Sequence, residues 1–141
     1  MTSAERYLLD TNVISEAIKP RPAPGVVNFL KSTPLTHLHL SSISIGEIEW
    51  GIEIVPDAGK RAALRQWLTH SLHPDYAGRI LSINEEVMVT WARMVVSSGQ
   101  KPKQLPCMDA LIAATALHHH LTIVTRNNND FTRFGVNVLN P

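Results

Sequence analysis

RYLLDTNVISEAIK, residues 6–19, changes its apolar period in the middle. Tyr7, Leu8 and Leu9 form a short apolar run that stops at Asp10, whereas Val13, Ile14, Ala17 and Ile18 recur at helical spacing. The economical reading is a strand that feeds a helix. Pro20, Pro22 and Pro24 close that helix, and Pro24 suits the first turn of a second one through Val26, Val27, Phe29 and Leu30. Further along, residues 37–41 (HLHLS) alternate as a strand. From Ser42, Ile45, Ile48, Ile52 and Val55 fall three and four apart, which predicts a helix ending before Pro56. Asp57 is placed to cap a helix through Ala63, Leu64, Trp67 and Leu68. Residues 80–83 (ILSI) read as a third strand, and Asn84 caps a helix over EEVMVTWARMVVSS with Gly99 just past its end. After the polar loop QKPKQLP, CMDALIAATALHHH has strong helix propensity, and TIVT and VNVL are two last strands.

Strands therefore alternate with helices throughout. This is the pattern of an α/β fold, a three-layer α/β/α sandwich around a mostly parallel central sheet. Ligand sites in such sheets lie in the crevice beyond the carboxyl ends of the strands. Asp10 and Thr125 each end a strand and are expected there. No repeat, low-complexity stretch or linker divides residues 1–141, so one domain is expected.

Composition narrows the class. With 44% hydrophobic and 18% charged residues the chain is neither disordered nor a coiled coil, and no apolar run approaches the ~20 residues of a membrane span. The N-terminal MTSAERYLLD lacks a basic leader before an apolar stretch, so it does not read as a signal peptide. Cys107 is the only cysteine, which excludes an internal disulfide and any multi-thiolate zinc site and fits a reducing compartment; a cytoplasmic location is expected. The net charge of +1 does not announce nucleic-acid binding, so local groups must carry any phosphate contact. The candidates are Lys19 with Arg21, Lys60 with Arg61 and Arg65, Lys101 with Lys103, and Arg126 with Arg133. His37 and His39 share a strand face and lack a third metal ligand, so they are expected to be exposed. His118, His119 and His120 suit a helix C-terminus. Trp50, Trp67 and Trp91 are expected in core or subunit packing rather than base stacking.

The acids are less ordinary. Asp10 closes an apolar strand, Glu47 lies inside an apolar helix with Gly51 one turn later, and Asp109 begins a helix whose face continues through Ile112, Ala113 and Ala116. If the three meet, repulsion at ~4–5 Å amounts to roughly 3–4 kcal/mol per pair at an effective dielectric near 20, and a divalent cation removes it. Oxygen ligands favour Mg²⁺, with Mn²⁺ able to substitute, and such an ion orients and activates water for in-line attack at phosphorus. Each of Asp10 and Asp109 could instead be a helix cap, and Glu47 could be exposed if the helix phase is otherwise. Glu49 with Glu53, and Glu85 with Glu86, read as solvated faces.

LLDTNVISE, the Ser-Ile-x-x-Gly-Glu-Ile-x-x-Gly run at residues 42–51, MDALIAATA and TRNNNDF together resemble the PIN-domain nucleases, most closely the VapC toxin ribonucleases of bacterial toxin–antitoxin pairs and their FitB-like branch. The match runs in order from residue 7 to residue 139. The resemblance implies that Asp10 and Asp109 are the principal Mg²⁺ ligands and that Glu47 completes the acidic cluster. It also implies that Thr11, Asn12 and Thr125 support the pocket. At the fourth acidic position some relatives place an aspartate directly after Thr-Arg, where this chain has Asn127; Asp130 can take the role instead. A homodimer, a small antitoxin that plugs the pocket, often with an arginine, and a tRNA or rRNA substrate cut to leave a 5′-phosphate are further implications. A PIN-like module that binds RNA or a partner without cutting is the alternative. DTNVI also resembles phosphatases of the haloacid dehalogenase type, but these need a second aspartate where this chain has Asn12. A receiver domain would need adjacent acids after the first strand and a late lysine, and has neither here.

Overall fold

The computed structural model describes residues 5–141, so the first four residues of the N-terminal stretch lie outside it. Strand β1 (Tyr7–Leu9) leads directly into α1 (Thr11–Ala17), and α2 (Pro24–Ser32) starts on its proline. A short 3₁₀ turn, Leu35–His37, precedes β2 (Leu38–Ser41), and Ser41 accepts the Ile43 N–H at 3.0 Å to cap α3 (Ser42–Glu53). Then follow α4 (Ala58–Trp67), α5 (His73–Asp75), β3 (Ile80–Leu81) and α6 (Glu85–Ser98). The chain ends with α7 (Cys107–His119), β4 (Thr122–Val124), the single turn α8 (Asn129–Thr132) and β5 (Val138–Leu139).

Every strand pair is parallel, and the order is β3-β2-β1-β4-β5. The chain first builds outward from β1 through β2 to β3, then returns to the other side of β1 for β4 and β5. The reversal falls between β1 and β4. At that point the connections diverge to opposite sides of the sheet and leave a crevice at the strands' carboxyl ends.

Both faces are covered, so the strands are apolar on both. Leu8 and Ile123 point into a core with Val87, Met94 and Val95 of α6 and Ala110, Ile112, Ala113 and Ala114 of α7. Leu9, Leu38, Leu40 and Val124 point the other way, against Val13 and Ile14 of α1, Val26 of α2 and Ile48 and Ile52 of α3. This alternation of neighbours between faces produces the three layers. Alanines on α7 bring its backbone close to the sheet, and Asp109 in its first turn is thereby held near the crevice.

Several local expectations change. Beyond α4 the helix widens at Leu68–Leu72, where the His73 N–H reaches Leu68 O just before Pro74, which has no N–H to donate. The third strand is two residues, not four. His37 lies in the 3₁₀ turn, while His39 is buried rather than exposed, with Nδ1 3.2 Å from Tyr7 O, because β2 is flanked by strands on both sides. Trp67 and Trp91 are packed against the cores, but Trp50 is 67% exposed. Glu49 and Glu53 are joined through Arg65, which pairs with Glu49 at 2.6 Å and also with Glu53. No helix among the described residues is long and apolar enough to cross a membrane.

Candidate active site

Asp10 stands at the reversal point. Its backbone is extended, its carbonyl accepts the first helical hydrogen bonds of α1, and its Oδ1 accepts the Thr11 N–H at 2.8 Å. The helix-cap reading is therefore correct as geometry, but the cap is only half of what the carboxylate does. Its Oδ2 accepts from the Thr125 hydroxyl at 2.9 Å, across the β1–β4 pair. The side chain is 7% exposed. Burial pushes its pKa up to about 6; the Thr125 and Thr11 donors oppose that shift, and Asp109 and Glu47 add to it.

Thr125 is itself fixed from two further directions. Asn12 Nδ2 donates to its oxygen at 3.3 Å and the Asn127 N–H at 3.0 Å, so its one proton is left for Asp10. Asn12 Oδ1 accepts the Arg126 N–H at 3.3 Å, and Asn12 thus ties α1 to the segment after β4 through both ends of its amide. Asn127 contributes its backbone to this network.

Glu47 reaches the site from α3. Its side chain is on an exposed helix face rather than a buried one, and that face opens on the crevice. The Thr11 hydroxyl lies 2.8 Å from both Glu47 Oε1 and Ser44 Oγ; having one proton, it donates to the carboxylate and accepts from the serine. Ser44 is fully buried and was not picked out in the sequence, where its only signal was its place one turn before Glu47.

Asp109 is half-buried at the start of α7. Its carboxyl is raised above the usual range by burial first, then by Asp130 and by Glu47, with Arg133 opposing. Asp109 is thus within electrostatic reach of both other acids, and Asp10 within reach of Asp109 and Glu47. Asp130 comes from α8, which packs on α7 through the fully buried Phe131.

A further carboxylate escaped the sequence reading because its main partner is 110 residues away. Glu16, on α1, is 7% exposed, and its Oε1 is 2.6 Å from Arg126 Nη1. Lys19 Nζ stands 2.9 Å from Oε2, at ion-pair distance, although no hydrogen bond of good geometry reaches that oxygen. Lys19 and Arg126 hold this carboxyl below its usual pKa.

On one side of the acids an open cleft of about 720 Å³ is lined by Thr11, Ile43, Glu47, Trp50 and Met108. On another side a polar hollow of about 590 Å³ runs from Arg126 through Asn127, Asn128 and Asn129 to Asp130 and Asn140. Substrate can therefore approach the acids from solvent. The donors are all oxygen, and the buried Asp10 carboxylate is met by two neutral donors and no cation, so the site suits a hard divalent ion. Among the described residues no three acidic, histidine or cysteine side chains close into a metal cage. Mg²⁺ does not need one, since it keeps several waters and takes one or two carboxylates directly.

The PIN domain model matches residues 7–137. The chain is 38% identical to Toxin FitB of Neisseria gonorrhoeae over 134 residues, 95% of this chain and 96% of that protein. It is 30% identical to VapC ribonuclease Y4jK of Sinorhizobium fredii, again over 95% of this chain and 96% of that protein. The crystal structure of FitAcB from Neisseria gonorrhoeae superposes with a TM-score of 0.88 at 37% identity, covering 96% of this chain and 97% of that one. Fold and sequence agree: the chain belongs to the PIN-domain family, in the branch that holds Toxin FitB and its VapC relatives.

Proposed function

We propose that this protein is a Mg²⁺-dependent endoribonuclease, with Mn²⁺ able to substitute, and the toxin of a toxin–antitoxin pair acting in the cytoplasm. The observation that carries the proposal is the buried Asp10 carboxylate at the sheet reversal, with Glu47 and Asp109 in electrostatic reach of it and Asp130 in electrostatic reach of Asp109. Relatives named as a toxin and as ribonucleases give the reaction class.

Asp10 and Asp109 would hold the ion, with Glu47 and Asp130 bearing on it directly or through water. When bound, the ion supplies charge neutralisation at the scissile phosphate and lowers the pKa of water. The chain's own residues do the positioning. Thr125 and the Thr11 N–H fix both Asp10 oxygens, and the Thr11 hydroxyl fixes one Glu47 oxygen, leaving Oε2 to orient the attacking water. Asn12 and the Asn127 backbone hold Thr125 in the orientation that serves Asp10. In this reading Asp130 rather than Asn127 takes the fourth acidic position, supported by its raising, together with Glu47, the pKa of the Asp109 carboxyl.

The substrate in this reading is a structured RNA such as a tRNA or rRNA loop, hydrolysed within residues 1–141 acting as one domain. Trp50, Ile54 and Met108 supply exposed apolar surface for a homodimer or an antitoxin. Purified protein freed of partners is expected to cleave such RNA with Mg²⁺ and to stop when EDTA is added. Cleavage that persists in EDTA, or none with either metal, refutes the reading; in the latter case retained RNA binding would favour a non-cutting module.

A further inference from the structure

Arg126 reads in sequence as a basic residue after a strand, but in the fold it is gripped from several sides. Asn12 and Glu16 are four residues apart on α1 and so share one face, which meets the segment following β4. Asn12 takes the Arg126 backbone, its Oδ1 accepting the Arg126 N–H at 3.3 Å, and Glu16 takes the side chain, its Oε1 accepting from Nη1 at 2.6 Å. Asn140 Nδ2 donates to the Arg126 carbonyl at 3.4 Å. Arg126 is thus held at both its backbone groups and at its guanidinium.

The neighbours of Arg126 in the chain give this grip its importance. Thr125, before it, donates to Asp10 Oδ2 at 2.9 Å; Asn127, after it, turns its N–H back to Thr125 Oγ1 at 3.0 Å. With that N–H and Asn12 Nδ2 both donating to it, the Thr125 oxygen has its two lone pairs engaged, and its one proton points at Asp10. An Arg126 free to swing out would carry Asn127 with it and leave the hydroxyl free to turn away. Glu16 is placed to act only through Arg126. It is buried, its carboxylate is engaged by Arg126 and Lys19, and it lies ~9 Å along the helix axis from Asp10 at the N-cap.

We propose that Glu16 is a positioning residue of this site, which through Arg126 locks the segment after β4 and so keeps the Thr125 hydroxyl on Asp10. This rests on the ribonuclease reading above. A buried carboxylate is costly unless paired, and its bond to a guanidinium is charge-assisted and directional, hence stiffer than the neutral contacts beside it.

The test compares the wild type with Glu16→Gln, Thr125→Val, the double variant and Leu72→Ala, a core truncation in the widened turn beyond α4 that controls for lost stability alone. In the metal-free proteins, amide hydrogen exchange at Arg126 and Asn127 is expected to speed up about ten-fold or more in Glu16→Gln, while the Asp10 amide, bonded to Val124 O, stays protected. Mg²⁺ affinity measured by calorimetry should fall roughly 10–100-fold, the span usual for residues that orient a metal's ligands, and the KM for a single-stranded RNA oligonucleotide at saturating Mg²⁺ should move less than about two-fold. Because Glu16 acts through Thr125, Glu16→Gln should add almost nothing in the Thr125→Val background. Where the wild type cleaves the RNA with Mg²⁺, any of four results overturns this proposal alone: unchanged exchange, unchanged Mg²⁺ affinity, an equal loss of affinity in Leu72→Ala, or additive losses with Thr125→Val. A wild-type protein that neither binds Mg²⁺ nor cleaves RNA overturns it together with the ribonuclease reading.

Discussion

Asp10 shows how far a single residue can be understood from its surroundings. A carboxylate pushed up to about 6 is protonated more readily in the folded chain than in the unfolded one, so the metal-free fold carries a penalty at neutral pH. That penalty is absent below the unfolded pKa near 4 and grows as pH rises through about 6. Replacing Asp10 by Asn should therefore stabilise the metal-free protein at pH 8, by up to about 3 kcal/mol, with the advantage fading towards pH 4. Urea denaturation of both proteins across that range measures it, and an advantage that stays constant with pH would mean the charge is not its source. The same substitution, and Asp109→Asn, should reduce RNA cleavage at least a thousand-fold while leaving the circular dichroism spectrum intact. Full activity in either variant would remove that acid from the mechanism. If Asp10 holds the proposed ion, it is a residue kept against the stability of the metal-free fold for the sake of what it binds.

At the level of the element, α7 and α8 deliver two of the acids by opposite means. The first lies flat because Ala110, Ala113, Ala114 and Ala116 are almost completely buried. Ala114→Leu should cost about 1–3 kcal/mol by overpacking, read as a lower urea midpoint. The second is too short to be stable by itself and is held by Phe131, which is fully buried. Phe131→Ala should cost roughly 3–5 kcal/mol and also raise the Mg²⁺ concentration needed for cleavage, since Asp130 is one residue away. A destabilised variant with an unchanged Mg²⁺ requirement would separate Phe131 from the site. The difference explains what could be read from sequence. MDALIAATA declares its helix by propensity and its acid by position, and the strand before Asp10 and the caps at Asp57 and Asn84 follow from local chemistry. α8 is one turn built by a tertiary contact and leaves no periodic signal. The burial of His39 and of Glu16 depends on partners distant in the chain, a neighbouring strand for one and Arg126 for the other. Glu47 was recognisable as unusual, but whether its helix face was buried or turned to a cleft depended on packing that periodicity does not contain.

On the scale of the whole molecule, the acids sit at one rim because all five strands run the same way and the order reverses at β1. That arrangement was legible, since alternation of strand and helix implies a parallel sheet and a parallel sheet implies a carboxyl-end crevice. An ion bound there binds only the folded chain, so Mg²⁺ should stabilise the protein by mass action, by about 2.7 kcal/mol at a hundred times its Kd. Differential scanning fluorimetry should show a melting temperature that climbs with Mg²⁺ for the wild type and not for Asp10→Asn. An equal rise in both would locate the ion elsewhere.

The insertion of β4 against β1 has a consequence in time. Asp10 is made well before its partners: its N–H is bonded to Val124 O and its carboxylate to Thr125, and Asp109 and Asp130 also follow it at a distance in the chain. A nascent chain that has already formed β1, β2 and β3 still lacks half of the acids and the hydroxyl that orients the first. If the chain is the proposed ribonuclease, competence is expected to switch on only once residues 122–130 have been made and have packed against β1, well after Asp10 and Glu47.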